Sequence, residues 1–206
     1  MLADARRLAD EVSSMQILAA GGLRPHRTEH TGALLCDAIL QSGINYRTVV
    51  APRVRRVAKL FSYASCLPEF SDVVLRYGAH FVLMWNHKEK PRRLTVVVEL
   101  LKSESVRTVA ELACWLQDQR NRSRVLELRG FGEKTVDYMG MLAGLDAVAV
   151  DRHIQAFLGL AGIAGKDYVD ARRIVCFSAD LLGVSRASLD RAIWETCSRR
   201  KRNAHP

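Results

Sequence analysis

No stretch of this chain is apolar for long enough to span a bilayer, which takes about 20 consecutive residues. The opening Met1-Leu-Ala-Asp-Ala-Arg-Arg7 lacks the basic-then-apolar order of a secretory signal. The expected setting is therefore the cytoplasm, in association with the nucleoid. Cysteine is scarce and dispersed, at 36, 66, 114, 176 and 197, with no close pair. That spacing fits neither a Cys-x-x-Cys metal motif nor a disulfide framework. Internal repeats and low-complexity linkers are missing too. Strand signals are nearly missing. Val96-Val97-Val98 and Val148-Ala149-Val150 are each too short to build a sheet, and neither has a hairpin partner nearby.

What is present is an ordinary globular balance, 49% hydrophobic and 26% charged, with a basic excess. Lysine and arginine number 31 against 22 acids, a net charge of +9. Such an excess suits a polyanionic partner, nucleic acid or an acidic membrane surface, and equally a solvated face. Helical periodicity dominates the chain. Helices are expected over residues 4–20 (stopped by Gly21-Gly22), 31–41, 53–61, 68–77 (stopped at Gly78) and 79–85. Further helices are expected from Pro91 to Lys102, then over 108–117, 123–128 and 134–143. The expected fold class is all-α. Basic residues cluster at Arg47, Arg53, Arg55, Arg56 and Lys59, at Lys88, Lys90, Arg92 and Arg93, and in the tail Arg199-Arg200-Lys201-Arg202. Several such runs in one small helical chain favour phosphate contacts.

The chemistry-bearing segment is Leu128-Arg-Gly-Phe-Gly-Glu-Lys-Thr135, between two short helices. A Gly-x-Gly turn admits backbone conformations closed to other residues. It also leaves the first N–H groups of the following helix pointing outward, where an anionic oxygen can accept them. A nucleotide P-loop is excluded, because Glu133 precedes the lysine and a helix, not a strand, precedes the turn. A plain helical connector and a hairpin that grips a DNA phosphate both remain open on this segment alone.

Downstream lies Val150-Asp-Arg-His-Ile154. Together the two segments resemble the helix-hairpin-helix DNA glycosylase superfamily, the group that includes endonuclease III and 8-oxoguanine glycosylase. The family pattern, Leu-x-Gly-apolar-Gly-x-Lys followed by a helix and Val-Asp-x-His, is met by Leu128, Gly130, Phe131, Gly132, Lys134, Val150, Asp151 and His153. The likeness is strongest over about residues 123–160, and elsewhere it is a shared all-helical layout.

This resemblance implies two helical lobes with the helix-hairpin-helix and a DNA-binding cleft between them. One is a barrel lobe over 30–144 that ends in the hairpin, and the other joins 1–29 with 145–206. It implies a monomeric DNA N-glycosylase that flips and excises a damaged or modified base from double-stranded DNA. Lys134 is the implied nucleophile, forming a Schiff base that also gives abasic-site lyase activity. A helix N-terminus and partial burial both act against charge on that lysine. Asp151 is the implied electrostatic and acid–base partner, and it also suits a helix N-cap. His153 is read as structural. DNA contacts are expected from Gly130, Phe131, Gly132, Thr135, Arg47 and Arg53, with Gln41 as the wedge that fills the gap left by an extruded base. Iron–sulfur relatives end in four cysteines, whereas only Cys176 and Cys197 lie in this C-terminal region, so no cluster and no other cofactor is expected. Ser188 to Glu195 resembles the terminal helix of cluster-free members. The alternatives are a monofunctional glycosylase, a non-catalytic DNA-binding module and, remotely, a zinc hydrolase using His26 and His30 of His-x-x-Glu-His.

Overall fold

The structure, a computed structural model, describes residues 1–20, 28–41, 43–163 and 165–203. Among these residues every regular element is helical, and no helix is long and apolar enough to cross a membrane. In chain order the α-helices are α1 (Leu2–Ser14), α2 (Thr31–Leu40), α3 (Ala51–Leu60), α4 (Leu67–Tyr77), α5 (Ala79–Leu83) and α6 (Glu89–Ser103). They continue as α7 (Val109–Trp115), α8 (Gln119–Glu127), α9 (Glu133–Leu142), α10 (Arg152–Leu160), α11 (Tyr168–Leu182) and α12 (Arg186–Asn203). A 3-10 turn covers Ile17–Ala20, and a π-type turn at Tyr46–Val50 leads into α3. The chain divides into two units, His26–Leu145 and Met1–Pro25 with Asp146–Pro206. The sequence reading puts these boundaries at 29/30 and 144/145, and the observed first boundary falls among residues outside the described ones.

The central unit is organised around α2. All ten of its residues are buried, as expected for a helix that is apolar on every side. Gly32 is required there by close packing, since a Cβ on it would lie 2.2 Å from the Phe70 ring of α4. His30 caps the N-terminus. Its Nδ1 accepts from the Ala33 N–H at 3.2 Å while Nε2 donates to the Phe61 carbonyl at 3.0 Å. Burial pushes the His30 imidazole below its ordinary pKa, in keeping with the neutral tautomer those two bonds require.

At the other end of α2 the last carbonyls meet a buried lysine. Lys90 of α6 donates from Nζ to Ile39 at 2.9 Å and to Leu40 at 3.0 Å, with the Trp85 ring 5.5 Å away. Val96-Val97-Val98 lies inside α6 with Val97 and Val98 in the core, so packing overrides the β preference of the run. The core of this unit also takes Leu34, Leu35, Phe70, Leu94, Val136 and Met139.

The other unit packs α1 against α11 and α10 against α12. Its core includes Leu8, Val12, Phe157, Ile174, Leu189 and Ile193. Ser178 of α11, fully buried, has Oγ 2.8 Å from both the Ala5 and Ile174 carbonyls, tying α1 to α11. α1 stops at Ser14, short of the expected Ala20, because Gln16 turns into positive φ at 52°.

Burial, then the charges of Arg93 and Lys134, pushes the Lys90 amine from 10.5 down to about 8. Between those values the folded chain has released this proton while the unfolded chain still holds it. Stability therefore gains from Lys90 as pH rises through that window, by at most about 1.4 kcal/mol per pH unit. Lys90→Met should flatten this rise in urea unfolding curves taken on either side of the window. An unchanged slope would show that Lys90 does not carry it.

Candidate active site at the hairpin

α8 and α9 form a helical hairpin. The chain leaves helical conformation at Leu128 (ψ 122°), and the Phe131 N–H closes the turn on the Leu128 carbonyl at 3.0 Å. Gly130 has φ +90°, and a Cβ on it would lie 2.4 Å from Arg93 Nε, so both backbone and space demand glycine. The neighbouring Arg92 of α6 donates from Nη2 to the Arg129 carbonyl at 2.7 Å. Of the expected phosphate-binding cluster, Arg92 therefore braces the turn and Arg93 packs against it. Phe131 is 7% exposed and sits in the core. Its side chain therefore anchors the hairpin from the core. Arg122 of α8 is hydrogen-bonded to Asp137 of α9 in a nearly buried ion pair that fixes the two helices together.

Gly132 differs from Gly130. It is the N-cap of α9 with extended backbone (φ −126°, ψ 171°) that any residue adopts, and a Cβ there would meet nothing within 4 Å. Nothing within the described chain demands glycine at this position. The result is an open helix N-terminus without a side-chain cap.

Lys134 stands in the first turn of α9, partly buried, and its Nζ donates to Gln41 Oε1 at 3.1 Å. One turn on in α9 and one turn back in α2 is a second rung. Tyr138 donates to Asp37 Oδ1 at 3.1 Å, and Tyr46 donates to Asp37 Oδ2 at 3.0 Å. Burial and then the Asp37 charge push the Tyr46 phenol upward, so it stays protonated as a donor. The ends of α2 and α9 thus meet through a lysine–glutamine and a tyrosine–aspartate contact, with Lys90 on the carbonyls just before Gln41. Gln41, expected as a wedge, is placed directly beside Lys134. The Asp37–Tyr46–Tyr138 group is missed by motif reading. Its one sequence signal is a lone carboxylate on a helix whose other residues are apolar or small.

Several expected contacts take other roles. Arg53 donates to the Val49 carbonyl at 3.0 Å and the Met84 carbonyl at 3.3 Å, and lies 5.8 Å from the Trp85 ring. It fastens α3 to the bend after α5. Arg47 is exposed on the π-type turn. Thr135 is partly buried, its N–H bonded to the Gly132 carbonyl at 2.9 Å. His26 lies outside the described residues. His30 has both ring nitrogens bonded within the chain, which corrects its reading as a zinc ligand. Among the described residues no three His, Cys, Asp or Glu side chains gather as a metal site would require.

Asp151 belongs to the other unit. The buried run Val148 to Val150 delivers it to the start of α10, where its Oδ1 accepts from the N–H groups of His153 at 2.7 Å and Ile154 at 3.1 Å. Both bonds fall on one oxygen, and Oδ2 carries none among the described residues. His153 is buried, edge-on to Trp194 at 6.1 Å, and its carbonyl accepts from Cys197 Sγ at 3.6 Å.

No curated protein sequence matches this chain significantly. Its fold is similar to the crystal structure of H. pylori 3-methyladenine DNA glycosylase (MagIII) bound to 1,N6-ethenoadenine. The TM-score is 0.66 over 95% of this chain and 98% of that one, at 15% identity, so the likeness is one of fold. With residues 23–198 matched, the chain belongs to the family described as Domain of unknown function (DUF8548).

Proposed function

We propose that this protein is a DNA N-glycosylase that extrudes and excises a damaged or modified base from double-stranded DNA, with abasic-site lyase activity through Lys134. The observation that carries the reading is the start of α9, where Gly132 leaves an N-terminus open to an anion and a lysine follows two residues later. The fold it shares with a 3-methyladenine DNA glycosylase adds support. The protein is read as a monomer working on DNA in the cytoplasm, at the nucleoid.

In the proposed reaction the Gly132 backbone and the first N–H groups of α9 hold a DNA phosphate, and exposed Arg47 adds salt-dependent attraction. Gln41 fills the gap left by the extruded nucleotide. The neutral Lys134 amine attacks C1′, the C1′–N bond breaks with its electron pair going to the base, and the departing base takes up a proton. The lysine–sugar adduct opens to a Schiff base, β-elimination then breaks the 3′ C–O bond, and water releases the lysine. The positive end of the α9 dipole works against charge on Lys134. Asp151 stabilises positive charge developing on the sugar through Oδ2, the oxygen not used in capping. No iron–sulfur cluster or other cofactor is needed for these steps.

In the second reading the lysine is held by Gln41 and a water activated by Asp151 is the nucleophile, giving base release without strand cleavage. The bond between Lys134 and Gln41 is the observation that favours it.

Incubation with a duplex carrying one abasic site, followed by borohydride, tests the lysine chemistry. Wild type should give a covalent adduct and Lys134→Ala none, with duplex binding nearly unchanged. Wild type without an adduct, yet releasing a modified base, selects the second reading. Asp151→Asn keeps an oxygen for the cap, so it should fold normally while base release falls about 100-fold or more. Full activity in Asp151→Asn removes Asp151 from the reaction. Gly132→Ala should melt like wild type but bind duplex DNA roughly 10-fold more weakly. Unchanged binding would mean that the open N-terminus grips no phosphate.

A further inference from the structure

Exposed apolar side chains in the His26–Leu145 unit are not scattered. Among the described residues the large ones all fall between Leu60 and Met84, and exposure runs from 43% at Tyr77 to 86% at Leu75. Tyr77 and Phe81 are in contact, and the buried ring of Phe61 links Tyr77 to Tyr63. Phe61 lies 6.4 Å from Tyr63 and 5.8 Å from Tyr77, and Tyr77 stacks on Phe81 at 5.8 Å with 29° between the rings. Two arginines lie on these rings, Arg56 at 5.0 Å from the Phe81 ring and Arg76 at 5.5 Å from the Tyr77 ring.

Basic residues dominate α3, while α4 carries exposed Glu69 and Asp72, the latter one turn before Arg76. No Asp or Glu occurs over residues 42–68 or 73–88, which include all of α3, the end of α4 and all of α5. Arg55, Lys59 and Arg76 are exposed, and no ion pair among the described residues involves them or Arg56. Arg56 Nη1 is shielded from water and has no hydrogen-bond partner, a costly state for a guanidinium N–H. An apolar patch of this kind marks a contact surface. Its ligand has to bring flat apolar faces and oxyanions together. A DNA duplex offers only the oxyanions, because its bases are stacked inside. An unpaired strand offers both.

We propose that the face built by α3, α4 and α5 binds single-stranded nucleic acid, with bases on Tyr63, Tyr77 and Phe81 and phosphates on Arg55, Arg56, Lys59 and Arg76. The contact lies outside the hairpin and holds whether or not Lys134 reacts.

Fluorescence anisotropy of the full chain with a labelled oligothymidylate of about a dozen nucleotides reads the site directly. Wild type should bind it more tightly than an undamaged duplex of equal length. Tyr63→Ala with Phe81→Ala should lose roughly 10-fold or more on the single strand while duplex binding and melting temperature hold. Tyr63→Ala alone, at a side chain 67% exposed, gives the same direction should the pair misfold. Arg56→Gln should weaken binding and make it less sensitive to salt. Equal single-strand affinity in wild type and the ring variants overturns the proposal. Displacement of the oligonucleotide by polyglutamate, or by phosphatidylserine vesicles, at lower concentration than by unlabelled oligothymidylate also overturns it, in favour of an acidic protein or a membrane.

Discussion

The end of α2 on Lys90 is the contact from which the candidate site is built. A helix buried on all sides has terminal carbonyls that water does not reach, and they need donors from the protein. Lys90 supplies them at Ile39 and Leu40, so α6 fixes where α2 stops. The next residue is Gln41, whose side chain meets Lys134. On the same helix as Lys90, Arg92 braces the hairpin turn that positions Lys134, and Arg93 packs against it. One turn of α6 therefore bears on both Lys134 and the Gln41 side chain to which it donates. A buried amine is a costly donor, and its lowered pKa registers that cost.

Two glycines separated by one residue serve different ends. Gly130 answers to the interior, through its positive φ and the guanidinium packed against it. Gly132 answers to nothing inside the described chain, and its lack of a side chain opens the first turn of α9. The contrast is what the proposed phosphate grip rests on. A plain connector needs only the first glycine. A phosphate grip needs both.

The all-α class and the hairpin were legible because each rests on local signals: apolar periodicity, glycine stops, and a short motif at fixed spacing. The basic clusters were not legible in the same way. Lys90, Arg92 and Arg93 read as a solvated or phosphate-binding run, yet the first caps a helix, the second braces a turn and the third packs against it. A sequence records the charge of a side chain but not which carbonyls lie within its reach. Arg53 is a further case, its guanidinium lying on the Val49 and Met84 carbonyls. The Val96 run has β propensity, yet the helix expected from Pro91 to Lys102 forms across it. The Asp37–Tyr46–Tyr138 group depends on three separate elements meeting, which no spacing rule reports.

The central claim is that the amine of Lys134, and not that of buried Lys90 nearby, forms the bond to the sugar. Digestion with trypsin after borohydride trapping on an abasic-site duplex, followed by mass spectrometry, identifies the attached residue. The sugar adduct should fall on Lys134, with cleavage after that lysine lost and Gly130 left joined to Arg152 in one peptide. An adduct on Lys90, on any other lysine or on the N-terminal amine would contradict that claim.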